Sequence, residues 1–165
     1  MRIGFGLDRH QLAAGRRCVL GGVVFPDSPV GPVGHSDGDA VCHAAADAIL
    51  GAAALGDIGQ HFPDTDPRFR GADSLELLAE AATRVRAAGW LTVNLDLTVM
   101  TEKPHLAAHK AAMAANLARA LAVDAAQVSV KATRGEGVGP EGRGEAVTVH
   151  AVALLAPLKN ALDAD

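Results

Sequence analysis

The chain has 165 residues, of which 49% are hydrophobic and 21% are charged, and its formal net charge is −4. These values predict one compact domain over residues 1–165 and argue against disorder and against a basic surface that binds nucleic acid. Two cysteines are too few for a disulfide scaffold, and neither a signal peptide nor a membrane span is recognisable, so we expect a cytoplasmic protein with reduced thiols and no membrane partner.

Hydrophobic periods and turn residues divide the chain into alternating strands and helices. In chain order, we predict a strand at 2–7, a strand at 18–25, a loop at 26–34, a helix at 36–55, an exposed loop at 57–73, a helix at 74–89, a strand at 90–100, a connector at 101–105, a helix at 106–122, a strand at 128–133 and a strand at 146–156. Capping boxes mark two helix starts, Ser36 with Asp39 and Asp73 with Glu76. The last strand is apolar enough to be central or covered on both faces. This order predicts an α/β or α+β fold, a sheet covered by helices.

Asp8 and His10 lie two positions apart where the first strand is expected to end, so their side chains project to the same face. This spacing suits two ligands of one metal, and His43, one turn inside a helix, is the candidate third ligand. One carboxylate and two imidazoles leave a fourth position open, which is the arrangement of catalytic zinc. We expect Asp39 or, preferably, Asp47 to accept the second N–H of the His43 ring.

Ordinary structural roles for these residues stay open. An Asp-x-His pair also arises by chance, and Asp37 and Asp39 are common helix-start residues that complement the helix dipole. Cys42 and its neighbour point about 100° apart on a helix, so we assign Cys42 to core packing. Four further histidines have no ligand-like neighbours and are interpreted as surface or core residues: His61, His105, His109 and His150.

The stretch 131–145, KATRGEGVGPEGRGE, is dense in glycine and carries both signs of charge. Its free backbone N–H groups, together with Lys131, Arg134 and Arg143, suit an anion, and Glu136 suits a hard cation such as magnesium. A flexible surface hairpin explains the same residues, and both interpretations stay open.

Seven motifs occur in a fixed order along almost the whole chain. They are RIGFGLDRH, GHSDGDAVCHAAADAILGAAALGDIG, HFPDTDP, RGADS, EKPHLAAH, VKAT and GRGEAV. With these motifs the chain resembles the 2-C-methyl-D-erythritol 2,4-cyclodiphosphate synthase family of the non-mevalonate isoprenoid pathway. The resemblance implies a phosphorus-oxygen lyase that converts 4-diphosphocytidyl-2-C-methyl-D-erythritol 2-phosphate to the cyclic diphosphate and CMP. It also implies a mixed sheet with helices on one face, in a chorismate-mutase-like homotrimer whose active sites lie between subunits.

The resemblance further assigns roles to individual residues. The expected metal ligands are Asp8, His10 and His43 for one zinc ion per active site and Glu136 for magnesium or manganese. The expected catalytic groups are His35, Thr133 and Arg134. The residues expected on the phosphate and erythritol side are Ser36, Asp57, Ile58, Gly59, Phe62, Pro63, Asp64, Thr65 and Asp66. The residues expected to complete the substrate site, mostly around the cytidine, are Thr101, Pro104, His105, Leu106, Ala107, Ala132, Gly135 and Arg143.

Four positions depart from the family pattern. Arg134 and Gly135 stand where further threonines are expected, His105 stands in place of a lysine, and Pro140 in place of an aromatic residue of the trimer cavity. Arginine can bind phosphate through two hydrogen bonds, so we keep a phosphate-binding role for Arg134. Two other functions stay open: a metal-dependent hydrolase of a nucleotide diphosphate, and a non-catalytic trimeric module that binds a nucleotide.

Overall fold

The computed structural model describes residues 1–158. Its strands and helices are, in chain order, β1 (Arg2–Ala14), β2 (Val19–Leu20), β3 (Val23–Val24), β4 (Val30–Pro32), α1 (Ala40–Ala52), α2 (Ile58–His61), α3 (Ser74–Ala87), β5 (Trp90–Met100), α4 (Lys110–Leu121), β6 (Val128–Thr133), α5 (Gly139–Gly142) and β7 (Ala146–Pro157). Short 3-10 turns occupy Pro67–Phe69 and Ala125–Gln127. The predicted domain extends to residue 165, and its last seven positions, 159–165, lie outside the described residues.

Five strands form one mixed sheet in the order β4-β1-β7-β5-β6. Strands β5 and β6 are parallel and are connected through α4, whereas every other neighbouring pair in this sheet is antiparallel. The predicted α/β fold with a mixed sheet is therefore confirmed. Strand β7 is central, as expected for a strand of such apolar composition.

The core lies between one face of the sheet and helices α1, α3 and α4. Apolar strand side chains at the centre of this face are fully buried, for example Leu97 on β5 and Val149 on β7. The opposite face carries exposed apolar residues, including Ile3 at 75% and Phe5 at 58% of full exposure. Helices thus cover one face of the sheet only. Of the two alternatives predicted for β7, the central position is confirmed and coverage on both faces is wrong.

Three predictions for the first third of the chain are wrong. The apolar run 18–25 is not one strand, because Gly21 and Gly22 adopt positive φ and turn the chain so that β2 pairs with β3. The stretch 26–34 is not all loop, since β4 pairs with the end of β1. β1 itself continues seven residues beyond its predicted end, because its pairing with β7 runs on past Asp8 and His10.

The helix boundaries are corrected by their caps. Helix α1 begins at Ala40 rather than near Ser36, because Asp39 is its N-cap and accepts from the backbone N–H groups of Val41 and Cys42. Helix α3 begins after Asp73, as predicted. Helix α4 begins at Lys110 instead of 106, since residues 106–109 form a turn. The predicted loop 57–73 contains α2 and a 3-10 turn.

Helix α1 lies directly on β1 because two glycines of the strand have no side chain. A Cβ atom at Gly6 would be 2.0 Å from the carbonyl oxygen of Ala44, and one at Gly4 would be 1.9 Å from that of Ala48. This close approach brings the start of α1 against the middle of β1. No helix within residues 1–158 is long and apolar enough to cross a membrane.

Candidate functional site

Asp8 and His10 lie in the middle of β1 and point toward the helices. They pair with Val149 and Val147 of β7, so strand geometry continues through both positions. Successive strand residues alternate between faces, and both side chains therefore share the face of Gly4 and Gly6. The predicted common face is confirmed, although the strand does not end there.

His43 reaches the same place from the first turn of α1. Its backbone N–H donates to the carbonyl of Asp39, and the glycines of β1 let the helix approach closely enough for its ring to lie over the strand. The rings of His10 and His43 are 5.2 Å apart between centroids. The α1 N-cap and the β1 glycines thus position the third side chain.

The three side chains form a compact triangle of potential ligand atoms. His10 Nε2 is 2.8 Å and His43 Nδ1 is 3.1 Å from Asp8 Oδ2, and the two nitrogens are 3.1 Å apart. Tetrahedral zinc binds N and O ligands at about 2.0–2.2 Å, so neighbouring ligands lie about 3.4 Å apart, slightly farther than these atoms. Asp8, His10 and His43 therefore fit a divalent metal with a fourth position left for another ligand.

The nitrogen atoms that point away from the triangle are also bonded. His10 Nδ1 lies 2.6 Å from the carbonyl oxygen of Val33, which only accepts, so Nδ1 carries a proton. Nε2 donates to Asp8 when it is protonated and, in the neutral ring, carries the lone pair that a metal can bind. His43 Nε2 lies 3.0 Å from Ser74 Oγ and 3.1 Å from Ser36 Oγ. Both imidazoles thus have an oxygen partner behind the ligand atom.

The expectation that Asp47 or Asp39 accepts from the His43 ring is wrong. Asp47 accepts the backbone N–H of Ile58 at 2.7 Å, and Asp39 accepts those of Gly21 and Gly22 at 2.8 and 2.7 Å. Both carboxylates thus accept hydrogen bonds from backbone segments that fold back against α1. The ring of His43 instead faces the start of α3, an element far away in sequence.

The charge balance of the triangle favours an ionised carboxylate. Burial would raise the pKa of Asp8, but the hydrogen bonds and charges of His10 and His43 outweigh it and hold that pKa well below its usual range. Burial would lower the pKa of His10, and its contact with Asp8 outweighs burial and raises it. The carboxylate at position 8 is therefore in the form that a metal ligand needs at neutral pH.

The triangle opens into a cavity of about 470 Å³, which we call the metal cavity. Its walls are formed by Asp8, His10, Gly34, His35, Ser36, His43, Ile58, Gly59, Phe62, Pro63, Asp64, Phe69 and Leu77. Seven of the residues expected on the phosphate and erythritol side or as catalytic groups are therefore in this wall. His35 also contacts the carbonyl oxygen of Asp66 at 3.2 Å through Nε2, which ties the 35–39 segment to the loop before α3.

Three expected residues are near the metal cavity without lining it. Asp57 caps α2 by accepting from Gln60, Asp66 caps the following 3-10 turn and pairs with Arg68, and Thr65 is exposed. Gly34, Phe69, Leu77 and Ser74 were not foreseen as part of the site. The motif RGADS contained the signal for Ser74, since Asp73 capping predicts that the next residue opens a helix.

A second cavity of about 360 Å³, which we call the nucleotide cavity, lies at the end of the parallel pair β5 and β6. It is lined by Thr101, Pro104, His105, Leu106, Ala107, Lys110, Ala132, Thr133 and Arg134. Eight of these nine residues were expected around the cytidine and its phosphates. Lys110 was not predicted, because the helix was expected to begin at residue 106, which placed Lys110 inside the helix. In the structure Lys110 is the first residue of α4 and lies next to the cavity.

Besides Asp57, Thr65 and Asp66, three further predicted residues line neither cavity. Glu136 is exposed and pairs with Arg134 at 3.0 Å, and its backbone has φ of 50°. Arg143 pairs with Glu145 at 2.9 Å, and Gly135 packs against Gly142, where a Cβ atom would be 2.2 Å from the backbone nitrogen. The glycine-dense stretch is thus partly ordered by the short helix α5. Among residues 1–158, none lines both the metal cavity and the nucleotide cavity.

Both cysteines are free and buried, as expected. Cys42 is fully buried behind His43, and burial raises the pKa of its thiol well above the ordinary value. Its side chain packs within the core cluster, so the assignment of Cys42 to the core is confirmed.

Residues 1–156 match the YgbB family. The chain is 57% identical over 155 residues to the 2-C-methyl-D-erythritol 2,4-cyclodiphosphate synthase of Desulfosudis oleivorans, covering 94% of this chain and 92% of that one. It superimposes on a solved CDP-bound form of such a synthase with a TM-score of 0.85 and 41% identity, covering 94% of this chain and 100% of that one. The bifunctional IspDF of Campylobacter jejuni gives a TM-score of 0.90 and 42% identity over 94% of this chain, which spans 42% of the larger protein.

Proposed function

The chain belongs to the YgbB family, and on that premise we propose that it converts 4-diphosphocytidyl-2-C-methyl-D-erythritol 2-phosphate to 2-C-methyl-D-erythritol 2,4-cyclodiphosphate and CMP. The observation that carries the proposal is the triangle of Asp8, His10 and His43, with ligand atoms within 3.1 Å of one another at the wall of a cavity. An Asp-His-His set of this geometry is suited to Lewis acid catalysis of phosphoryl transfer.

The reaction is an intramolecular phosphoryl transfer. An oxygen of the substrate's own 2-phosphate forms a bond to the β-phosphorus, and the bond from that phosphorus to the oxygen bridging to the α-phosphate breaks as CMP leaves. No protein group is covalently modified, so the protein must hold the two phosphates in line and neutralise their charge. Such positioning is the role that we assign to the walls of both cavities.

We assign zinc to Asp8, His10 and His43, where it would supply a positive charge that polarises a phosphate oxygen. His35 and Ser36 lie beside the triangle and are proposed to hold the phosphate and erythritol end, since both line the metal cavity. The segment from Ile58 to Asp64 is proposed to form the opposite wall. Asp57 and Asp66 then act from outside the wall, by capping α2 and the 3-10 turn that shape it, and Thr65 is assigned to the substrate site through the resemblance alone.

The nucleotide cavity is proposed to bind the cytidine and the α-phosphate. Its proposed cytidine contacts are Thr101, Pro104, His105, Leu106, Ala107 and Ala132. Thr133, Arg134 and Lys110 add a hydroxyl and two cationic groups at the same cavity, which suits a diphosphate. Gly135 keeps the backbone close to α5, and Arg143 is assigned to the substrate site through the resemblance alone.

Glu136 is proposed to hold magnesium or manganese. Its carboxylate is 73% exposed and sits 3.0 Å from the guanidinium of Arg134, so a cation there replaces or joins an ion pair. Hard cations prefer oxygen ligands and keep several waters, and an exposed carboxylate satisfies that preference.

We further propose a homotrimer in which the nucleotide cavity of one subunit faces the metal cavity of the next. Two observations support it: the cavities of one chain share no lining residue, and the uncovered sheet face carries exposed Ile3, Phe5, Leu7 and Val152. Exposed apolar patches of this kind mark protein interfaces. Light scattering after gel filtration measures the mass, and Phe5→Glu should reduce it to that of the monomer.

We retain the proposals that residues 1–165 form one domain and that the enzyme is cytoplasmic, where free thiols such as those of Cys18 and Cys42 persist.

The activity is tested by incubating the purified protein with the diphosphocytidyl substrate, zinc and magnesium and recording ³¹P spectra. Cyclic diphosphate and CMP are the expected products. CMP with a linear product would instead identify a diphosphate hydrolase. Tight CDP binding without turnover would identify a binding module, and recovery of turnover in Arg134→Thr would trace that loss to position 134.

The metal assignment is tested by His43→Ala. The variant should lose bound zinc and activity while its circular dichroism spectrum is unchanged. His61→Ala is the matched control, because His61 contacts the Leu55 carbonyl and Arg84 and does not line either cavity. Unchanged zinc content in His43→Ala removes His43 from the ligand set.

A further inference from the structure

Behind His43, a buried serine and a carboxylate continue the hydrogen bonding of the metal-ligand triangle. Ser74, the first residue of α3, is 1% exposed, and its Oγ lies 3.0 Å from His43 Nε2. The same hydroxyl donates to Asp37 Oδ1 at 2.5 Å. His43, Ser74 and Asp37 thus form a chain of hydrogen bonds that runs away from the metal cavity.

The direction of this chain follows from the chemistry of its last member. An ionised carboxylate only accepts hydrogen bonds, so the single hydroxyl proton of Ser74 must point to Asp37. The oxygen of Ser74 then has only lone pairs to offer to His43, and His43 Nε2 must be the protonated nitrogen. In the neutral ring Nδ1, the nitrogen that lies 3.1 Å from Asp8 Oδ2, then carries the lone pair that a metal can bind.

Asp37 is itself held rigidly between two helix starts. Its Oδ1 also accepts the backbone N–H of Asp39 at 3.1 Å, and its Oδ2 accepts that of Ser74 at 3.2 Å. The Asp37 backbone N–H donates to the carbonyl of Ala72 at 3.1 Å. The carboxylate thus receives three donors, the backbone N–H groups of Asp39 and Ser74 and the Ser74 hydroxyl, so an amide at position 37 would place a donor against a donor.

Ser36 differs from Ser74 although it is equally close to His43. Its Oγ is 3.1 Å from His43 Nε2 and accepts from the backbone N–H of Gly38 at 3.3 Å, but it touches no carboxylate among the contacts of the described residues. Its Oγ also lies 3.3 Å from Ser74 Oγ, so its hydroxyl proton can point to His43, to Ser74 or to the cavity. Ser36 can form a hydrogen bond with the His43 ring, but it does not determine which ring nitrogen is protonated.

We propose that Ser74 and Asp37 are positioning residues that hold the His43 ring as the Nε2–H tautomer, with Nδ1 turned to the metal. The inference rests on the metal-binding part of the proposed function and not on the identity of the substrate. Groups behind a metal-binding histidine contribute about 10–100-fold to metal affinity. Neither residue lines the metal cavity or the nucleotide cavity, so their effect on the metal is transmitted through the histidine ring.

The test compares zinc affinity, measured by competition with a chromogenic chelator, in the full-length protein and its variants. Ser74→Ala should bind zinc about 10–100-fold more weakly, whereas Ser74→Thr, which keeps the hydroxyl, should stay near the wild type. Asp37→Asn should weaken binding in the same direction. Ser129→Ala is the matched control, because Ser129 is an exposed serine on β6.

A second readout separates positioning from folding. In metal-free protein at a pH above the usual imidazole pKa, long-range ¹H–¹⁵N spectra of labelled histidine report the tautomer of His43. The wild type should show Nε2–H, and Ser74→Ala should gain Nδ1–H, which can donate to Asp8 instead. If Ser74→Ala keeps both the tautomer and the zinc affinity of Ser129→Ala, the proposal is overturned. A wild type that binds zinc as expected but releases no CMP would refute the proposed reaction and leave the positioning role intact.

Discussion

Gly6 touches no metal ligand, yet its substitution by alanine should disrupt metal binding. The added Cβ atom would be 2.0 Å from the Ala44 carbonyl oxygen and 2.8 Å from the Ala48 nitrogen. These are backbone atoms of α1, so no side-chain rotation relieves the contact, and the helix must move away from β1 by about 1 Å. His43 precedes Ala44 in that helix and moves with it, while Asp8 and His10 stay on the strand.

The expected effects depend on how much overpacking the core tolerates and on how far a metal ligand can move. Overpacking of a core contact costs about 1–3 kcal/mol of folding free energy, which urea unfolding measures. Metal–ligand distances tolerate only about 0.2 Å, so a helix shift of this size should weaken zinc binding by about 100-fold or more. Zinc affinity by chelator competition is the decisive assay, after circular dichroism has established that Gly6→Ala is folded.

Gly51→Ala is the matched control, because Gly51 lies in the same helix and a Cβ atom there meets nothing within 4 Å. That variant should keep its zinc affinity and gain about 0.5–1 kcal/mol in stability, since alanine is a better helix former than glycine. A folded Gly6→Ala protein that binds zinc as tightly as Gly51→Ala would refute the claim that helix–strand contact positions His43.

Three further predictions concern stability. Asp39→Ala should lower the free energy of unfolding by about 3 kcal/mol or more, because the fully buried Asp39 carboxylate caps α1 and accepts backbone N–H groups from the turn between β2 and β3. Urea unfolding measures the loss of stability, which should be smaller for Asp39→Asn. The hydrogen bond from Thr148 and the charge of Arg9 lower the pKa of Glu141 against the effect of burial. The stabilisation that ionised Glu141 gives is therefore complete above its unfolded pKa of about 4.5, and it is lost as the pH falls through the lowered folded-state pKa. The stability advantage of the wild type over Glu141→Gln should therefore shrink in urea titrations below that pH, and a constant advantage would contradict the assignment. Removing metal with a chelator should lower the thermal midpoint, by the equivalent of about 2.7 kcal/mol if free metal was at 100 times its Kd, and His43→Ala should show no such chelator effect.

Much of the site could be predicted because it depends on local geometry. The two-residue period of a strand places Asp8 and His10 on one face whatever the rest of the fold does, and that prediction survived an error in where β1 ends. Asp73 caps α3 because a carboxylate at that position satisfies free N–H groups of the first turn. The same local rules placed β5 and β6, whose ends form the nucleotide cavity.

Where local rules failed, contacts between distant segments had overridden them. The run 18–25 is apolar enough for one strand, but Gly21 and Gly22 turn it so that their N–H groups reach the buried Asp39. Residues 30–32 read as loop, and they become a strand because the extended β1 offers them an edge to pair with. The Gly-Gly pair is a hairpin signal that the apolar composition of the run outweighed in the prediction, whereas residues 30–32 carry no strand signal of their own.

By itself, the sequence determined which side chains can act together within one element: Asp8 with His10 on a strand, and His43 one turn into a helix whose start is capped. Only the tertiary structure decided what lies behind His43. Asp47 is one helical turn away and was the natural candidate, but it is taken by the N–H of Ile58, whereas Ser74 arrives from a helix 31 residues later in the chain. Hydrogen-bond partners of a buried ring are chosen by which elements pack against it, and that packing depends on glycines in β1 and on the whole sheet rather than on neighbours in sequence.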